Sequence, residues 1–200
     1  MNENPTKNVL LIIADISGYT EFMLSSKMEI EHSQKIISAL INTIIEQIKM
    51  PLEVSKIEGD AVFLYAIKSE EVAEWDKVRK LIGDKLIQFF EVFREKLSTL
   101  GQSASCSCGA CSHIDILKLK ILVHSGEALF YSIQQFSELS GKDVILIHRL
   151  TKNSVPHDEY ILLTEAAIAD IEFPEQFDTE EGSEKYEHFD KIKTRVYLPA

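Results

Sequence analysis

LEVSKIEGDAVFLYAI, residues 52–67, decides the architecture. Two strand-like runs, Leu52 to Ile57 and Ala61 to Ile67, flank Gly59-Asp60, which reads as a two-residue hairpin turn. Upstream, VLLIIA at 9–14 is a short apolar run ending on Asp15, the pattern of a buried strand that delivers a carboxylate at its end. Ser17 and Gly18 turn the chain, and Tyr19 to Ser26 has helical content. From Ile30 to Met50, Ile36, Ile37, Leu40, Ile41, Ile44, Ile45 and Ile48 recur at helical spacing, until Pro51 stops the helix.

Downstream, Glu70 to Leu100 is a long helical stretch with Trp75 among its inner apolar positions, and Gly83 is expected to bend or interrupt it. A polar loop follows from Gly101 to His113. Strands are expected over 115–124 and 127–133 with Ser125-Gly126 as the turn, then a helix over 141–150. Residues 160–164 read as a strand, with Thr164 capping a short helix. The acidic stretch 174–187 reads as a loop, and 191–198 as a final strand. This order predicts an α+β fold: a ferredoxin-like βαββαβ core with extra C-terminal strands and a helix, in a single domain over residues 1–200.

Composition narrows the function classes. The 200 residues are 45% hydrophobic, enough for one filled core. A net charge of −11 leaves no basic face to displace counterions from nucleic acid, and it disfavours anionic membrane surfaces. No segment approaches the roughly 18 to 20 apolar residues of a membrane span. The polar start MNENPTKN does not read as a signal peptide. Three cysteines within six positions suggest a reducing compartment, so a cytoplasmic protein is expected.

In a βαββ arrangement the first strand lies beside the hairpin, so Asp15 and Asp60 are expected to meet at one sheet edge. Two oxygen ligands on a rigid scaffold suit Mg²⁺ or Mn²⁺ held together with substrate phosphates. Taken singly, each aspartate reads more readily as a turn residue or cap than as a ligand.

Four strings in order carry a family resemblance. ADISGYTEF at 14–22, KIEGDAVFLYA at 56–66, VHSGEALF at 123–130 and GKDVILIHRL at 141–150 resemble the motifs of class III adenylate and guanylate cyclases. The resemblance implies a head-to-tail homodimer binding a nucleoside triphosphate, with two divalent metals per site on Asp15 and Asp60. It implies base reading by Lys56 and Glu138, a pairing that favours ATP over GTP. Arg149 matches the transition-state arginine, and Lys191 or Lys193 a late lysine contacting the triphosphate. The implied activity is conversion of ATP to 3′,5′-cyclic AMP and pyrophosphate.

One position departs from the pattern. The family's transition-state Asn is here Ile145, which cannot hydrogen-bond a ribose. That leaves open a catalytically degenerate module binding nucleotide, metal or a partner in signalling. The CxCxxC loop followed by LKxxxHxGE and VIxxHRLxKN also resembles a bacterial family of unassigned function within the cyclase-like superfamily.

Cys106, Cys108, Cys111 and His113 form C-x-C-x-x-C-x-H, four ligands of the right type for tetrahedral Zn²⁺ in a tight spacing. Free thiols or a redox loop are the alternatives. His124 reads as a core or turn histidine. His148 adjoins Arg149 but should point elsewhere on the helix and need not share its site.

Overall fold

The computed structural model describes residues 5–25, 30–102, 109–174 and 177–199. Strand β1 (Thr6–Ser17) is followed by helices α1 (Tyr19–Ser25) and α2 (Ile30–Ile45), the hairpin β2 (Glu53–Glu58) and β3 (Ala61–Ile67), and the long helix α3 (Val72–Gln102). Next come α4 (Gly109–Ser112), a 3₁₀ turn at Ile114–Ile116, β4 (Lys118–Ile133), β5 (Phe136–Ser140) and α5 (Lys142–Arg149). The chain closes with β6 (Tyr160–Thr164), a 3₁₀ turn at Glu165–Asp170, β7 (Asp178–Glu184) and β8 (Ile192–Leu198).

The strands form one eight-stranded sheet of order β2-β3-β1-β4-β6-β8-β7, with β5 paired to β4 off this path. The first four are antiparallel to their neighbours in the order 2-3-1-4, the ferredoxin-like core. β6 adds parallel to β4, and β8 and β7 extend the sheet antiparallel. The architecture is α+β, as the element order predicts.

β1 is central because both its faces are apolar. Leu10, Ile12, Ala14 and Ile16 pack in a core with the inner faces of α2 and α3. Val9, Leu11 and Ile13 face the other way, into a smaller core with Val144 and Ile147 of α5. The period-2 alternation then sends Asp15 to the α5 face, where the apolar run ends.

Three sequence expectations need correction. Ser125-Gly126 is not a turn, because β4 runs unbroken for 16 residues and the chain reverses at Gln134, with φ 54°. Gly126 serves close approach instead: a Cβ there would sit 2.3 Å from the Asp143 carboxylate. Gly83 likewise does not break α3; it admits the Glu172 carbonyl, which a Cβ would meet at 2.1 Å. Within the acidic stretch, 178–184 is an edge strand rather than a loop, since Glu181 lies opposite Arg195 in the β7–β8 register and accepts from it at 2.7 Å.

Candidate functional site

The hairpin and β1 bring the two aspartates together. Asp15 lies opposite Ala61, the residue after Asp60, in the β1–β3 register. Asp15 and Asp60 line one cavity of about 570 Å³ on the α5 face, walled also by Ser17, Gly18, Thr20 and Lys120. Burial first, then the charge of Asp15 and a hydrogen bond with it, push Asp60 up to about 7. Lys120 opposes that shift from β4, where it lies opposite Asp15 and reaches its carboxylate at 3.0 Å.

Sequence reading missed Lys120 as a site residue, although the signal was there. Antiparallel β1 and β4 with matched apolar runs put the Lys of LKxxxHxGE beside Asp15, once the register is known.

Lys56 and Glu138 come from β2 and β5 and meet at 3.3 Å, with Glu58 also 3.3 Å from the ammonium. Burial works against the Lys56 charge, but hydrogen bonds to Glu138 and Glu58 outweigh it and raise its pKa. Lys56 lines a second cavity of about 400 Å³ with Glu58, Val144, Ile145, His148 and Arg149. The chain therefore groups Lys56 and Arg149 around one hollow, with Glu138 bonded to Lys56, and Asp15 with Asp60 around another. Ile145 is 53% exposed in the second wall.

His148 corrects an expectation. It shares the cavity of Arg149 and lines the carboxylate cavity as well. Its ring meets Phe63 edge-on at 4.8 Å, and its Nδ1 lies 3.3 Å from Glu58. Burial lowers its pKa, against the pull of Glu58.

Lys191 stands apart, exposed in a third hollow of about 500 Å³ with Lys193 and residues of β7. Lys193 is tied to Glu165 at 2.9 Å. Of the cysteine motif, Cys106 and Cys108 lie outside the described residues. Cys111 Sγ is 3.9 Å from His32 Nε2, while the exposed His113 lies 3.0 Å from the Ser112 hydroxyl. Among the described residues, no group of three or more His, Cys, Asp or Glu side chains could hold a metal. No described helix is long and apolar enough to cross a membrane.

A buried network seats α5. His124 lies 2.8 Å from the Thr164 hydroxyl and 3.3 Å from the Asp143 carboxylate, which also accepts from the Glu127 amide at 2.8 Å. This accounts for the His-x-Gly-Glu string: His124 holds Asp143, Gly126 makes room for it, and the Glu127 amide bonds it. Thr164 is thus spent on His124 and makes no side-chain cap.

Burial depresses the His124 pKa below 6.5, against the pull of Asp143. The unfolded chain then takes up the proton more readily, so stability present above pH 6.5 is lost as the pH falls towards the folded value. Between pH 7 and 5 the His124 contribution should fall, read in urea titrations as the difference in unfolding free energy between wild type and His124→Gln. A difference that does not change with pH would assign no linkage to His124.

Comparisons with known proteins agree with this architecture. The adenylyl cyclase CyaB from P. aeruginosa superposes with a TM-score of 0.74 at 15% identity, over 98% of this chain and 96% of that one. The guanylyl cyclase Cya2 gives 0.73 at 10% identity, over 98% and 93%. These likenesses show the class III cyclase fold. The uncharacterized protein Rv2561/Rv2562 of Mycobacterium tuberculosis is 28% identical over 171 residues, 82% of this chain and 77% of that protein. The family model described as protein of unknown function, DUF2652, matches residues 37–160, more than half the sequence, and the chain belongs to that family within the cyclase-like fold.

Proposed function

We propose that this chain is a nucleotidyl cyclase-like protein, one cyclase-like domain over residues 1–200. It works as a cytoplasmic homodimer and converts ATP to 3′,5′-cyclic AMP and pyrophosphate. The observation that carries this reading is the meeting of Asp15 and Asp60 in one cavity, beside a second hollow holding Lys56 and Arg149.

The donor set fits divalent metal. Two hard carboxylate ligands, one of them pushed up to about 7 by burial and its neighbour's charge, make a site whose repulsion a cation relieves. Asp15 and Asp60 would hold Mg²⁺ or Mn²⁺, two per site with the nucleotide phosphates. When bound, the metal supplies polarisation of the 3′-hydroxyl and the α-phosphate.

The chain's own residues do the rest. Lys56 donates to adenine N1, and Glu138 beside it accepts from the adenine amino group. That pairing favours ATP over GTP. Arg149 offsets charge that builds on the α-phosphate. Lys120 supplies a cation to the phosphates in the carboxylate cavity, and Lys191 reaches the triphosphate from the β7–β8 end. In the dimer one protomer gives the carboxylates and the other gives Lys56, Glu138 and Arg149.

That division is testable. Asp15→Ala and Lys56→Ala chains, each inactive alone, should regain about a quarter of wild-type cyclic nucleotide formation when mixed into heterodimers, read by mass spectrometry with Mn²⁺. The fraction is the statistical yield of one intact site in half the dimers. No recovery in a demonstrated heterodimer overturns the shared site.

One observation favours a second reading. Ile145 is exposed in the wall where the cyclase pattern has a hydrogen-bonding Asn, and losing such a contact costs about 100-fold in rate. A binding module would show ATP-analogue binding by titration calorimetry with Mn²⁺ and no turnover.

A further inference from the structure

HRLTKN at 148–153 ends α5 and turns the chain past the carboxylate cavity. Lys152 lines that cavity with Asp15, Asp60 and Lys120, and it does not border the hollow of Lys56 and Arg149. In a dimer that shares its sites between protomers, Lys152 therefore serves the same site as the carboxylates of its own chain. We infer that Lys152 binds the pyrophosphate portion of the nucleotide, its β- and γ-phosphates. This rests on the nucleotide-cyclising reading above and deepens it.

The turn is fixed, and its lysine is left over. The Lys152 amide donates to the Arg149 carbonyl at 3.0 Å, and the Tyr186 hydroxyl donates to the Lys152 carbonyl at 3.1 Å. Thr151 donates back to the His148 carbonyl at 2.8 Å, Asn153 to the Leu150 carbonyl at 2.8 Å, and Ser154 to the Glu184 carboxylate at 2.7 Å. These neighbouring side chains are thus spent on holding the turn. The exposed Lys152 makes no ion pair among the described residues. With its backbone already pinned, only the lysine side chain has to be ordered when an anion arrives.

Lys120 sets the direction. Its ammonium lies 3.0 Å from the Asp15 carboxylate and donates to the Thr151 carbonyl at 3.4 Å, so it stands between the aspartates and the turn. Positive charge continues from Lys120 to Lys152, away from Asp15. The α-phosphate, where the bond is made, belongs at the metals on Asp15 and Asp60. The rest of the triphosphate then follows the lysine-lined side of the cavity towards Lys152. An ammonium is a compact charge with three donors, suited to the oxygens of a terminal phosphate.

Titration calorimetry on the full chain with Mn²⁺ tests the assignment, with a non-hydrolysable ATP analogue and AMP as probes. Lys152→Ala should weaken binding of the ATP analogue by about tenfold and leave AMP binding unchanged, the loss of one charge-assisted hydrogen bond beyond the α-phosphate. Lys152→Arg should stay within about threefold of wild type on both probes, because it keeps the cation. The exposed Lys185 borders neither cavity and controls for the loss of one positive charge; Lys185→Ala should bind as wild type does. The unliganded urea midpoint of Lys152→Ala should match wild type, which separates a binding role from a structural one. Wild-type affinity for the ATP analogue in Lys152→Ala overturns the inference. So does a loss for AMP as large as that for the analogue, or an equal loss in Lys185→Ala. Wild type that binds neither probe instead overturns the cyclase reading, and this inference falls with it.

Discussion

Asp60→Asn is expected to remove Mn²⁺-dependent cyclic nucleotide formation by about 100-fold or more while making the metal-free fold more stable. Both effects have one cause. Burial and the charge of Asp15 push the Asp60 carboxyl from 3.8 up to about 7. Its folded pKa lies above its unfolded value, so the folded state holds the proton more tightly, and stability falls as the pH rises through 4 to 7. Above pH 7 the ionised pair carries the full repulsion, discounted because Asp60 is partly exposed to solvent.

The neutral amide is free of that repulsion. At pH 8 in chelator, urea unfolding should show Asp60→Asn more stable than wild type by about 1 kcal/mol. Added Mn²⁺ with a non-hydrolysable ATP analogue should raise the wild-type melting temperature and leave the variant's unmoved. A variant no more stable than wild type in chelator would mean the two carboxylates do not strain each other. The slope from Asp60 opposes that from His124 between pH 5 and 6.5, so each is read from its own variant.

Asp170→Ala should cost about 3 to 5 kcal/mol of stability, the largest loss expected from one side chain here. Asp170 is 5% exposed and accepts from Lys68 at 2.6 Å, the Trp75 indole at 2.7 Å and the Ser125 hydroxyl at 2.5 Å. Lys68 also lies 5.6 Å from the Trp75 ring centre. These partners follow β3, open α3 and sit in β4, so one carboxylate ties three elements at the sheet surface. Truncation leaves a buried indole N–H and an ammonium without their acceptor.

Asp170→Asn keeps an acceptor and should recover about half the loss. The readout is direct, because Trp75 is the only tryptophan in the chain. Its emission should shift to the red in the native state of the alanine variant. An unshifted spectrum with unchanged urea midpoint would show that this network contributes little.

The core of the fold was legible because its signals are local. VLLIIA reads as a buried strand, and Gly59-Asp60 in KIEGDA reads as a hairpin turn. Together they dictate the meeting of Asp15 and Asp60. The Lys56–Glu138 pair was reachable only through resemblance, since 82 residues separate them and β2 and β5 meet through tertiary packing.

What escaped depends on register and close approach. Gly126 looks like a turn glycine in sequence, and only the Asp143 carboxylate against it reveals its purpose. Lys120 enters the site through the β1–β4 register, which matched apolar runs hint at but do not fix, and His148 through the rotation of α5, which the sequence does not carry. DTEEGSE has little strand propensity; it pairs with β8, where Arg195 answers Glu181. Asp170 gave no signal, because its three donors are scattered from Lys68 to Ser125.

That last strand, β7, closes one margin of the sheet with Asp178, Glu180 and Glu181. A second molecule approaching in extended form would set anion against anion along the whole border. The border thus acts as a guard against fibrous stacking. Near the isoelectric point of about 5.0 the molecule's net negative charge is gone, and the repulsion between whole molecules that supplements this guard goes with it.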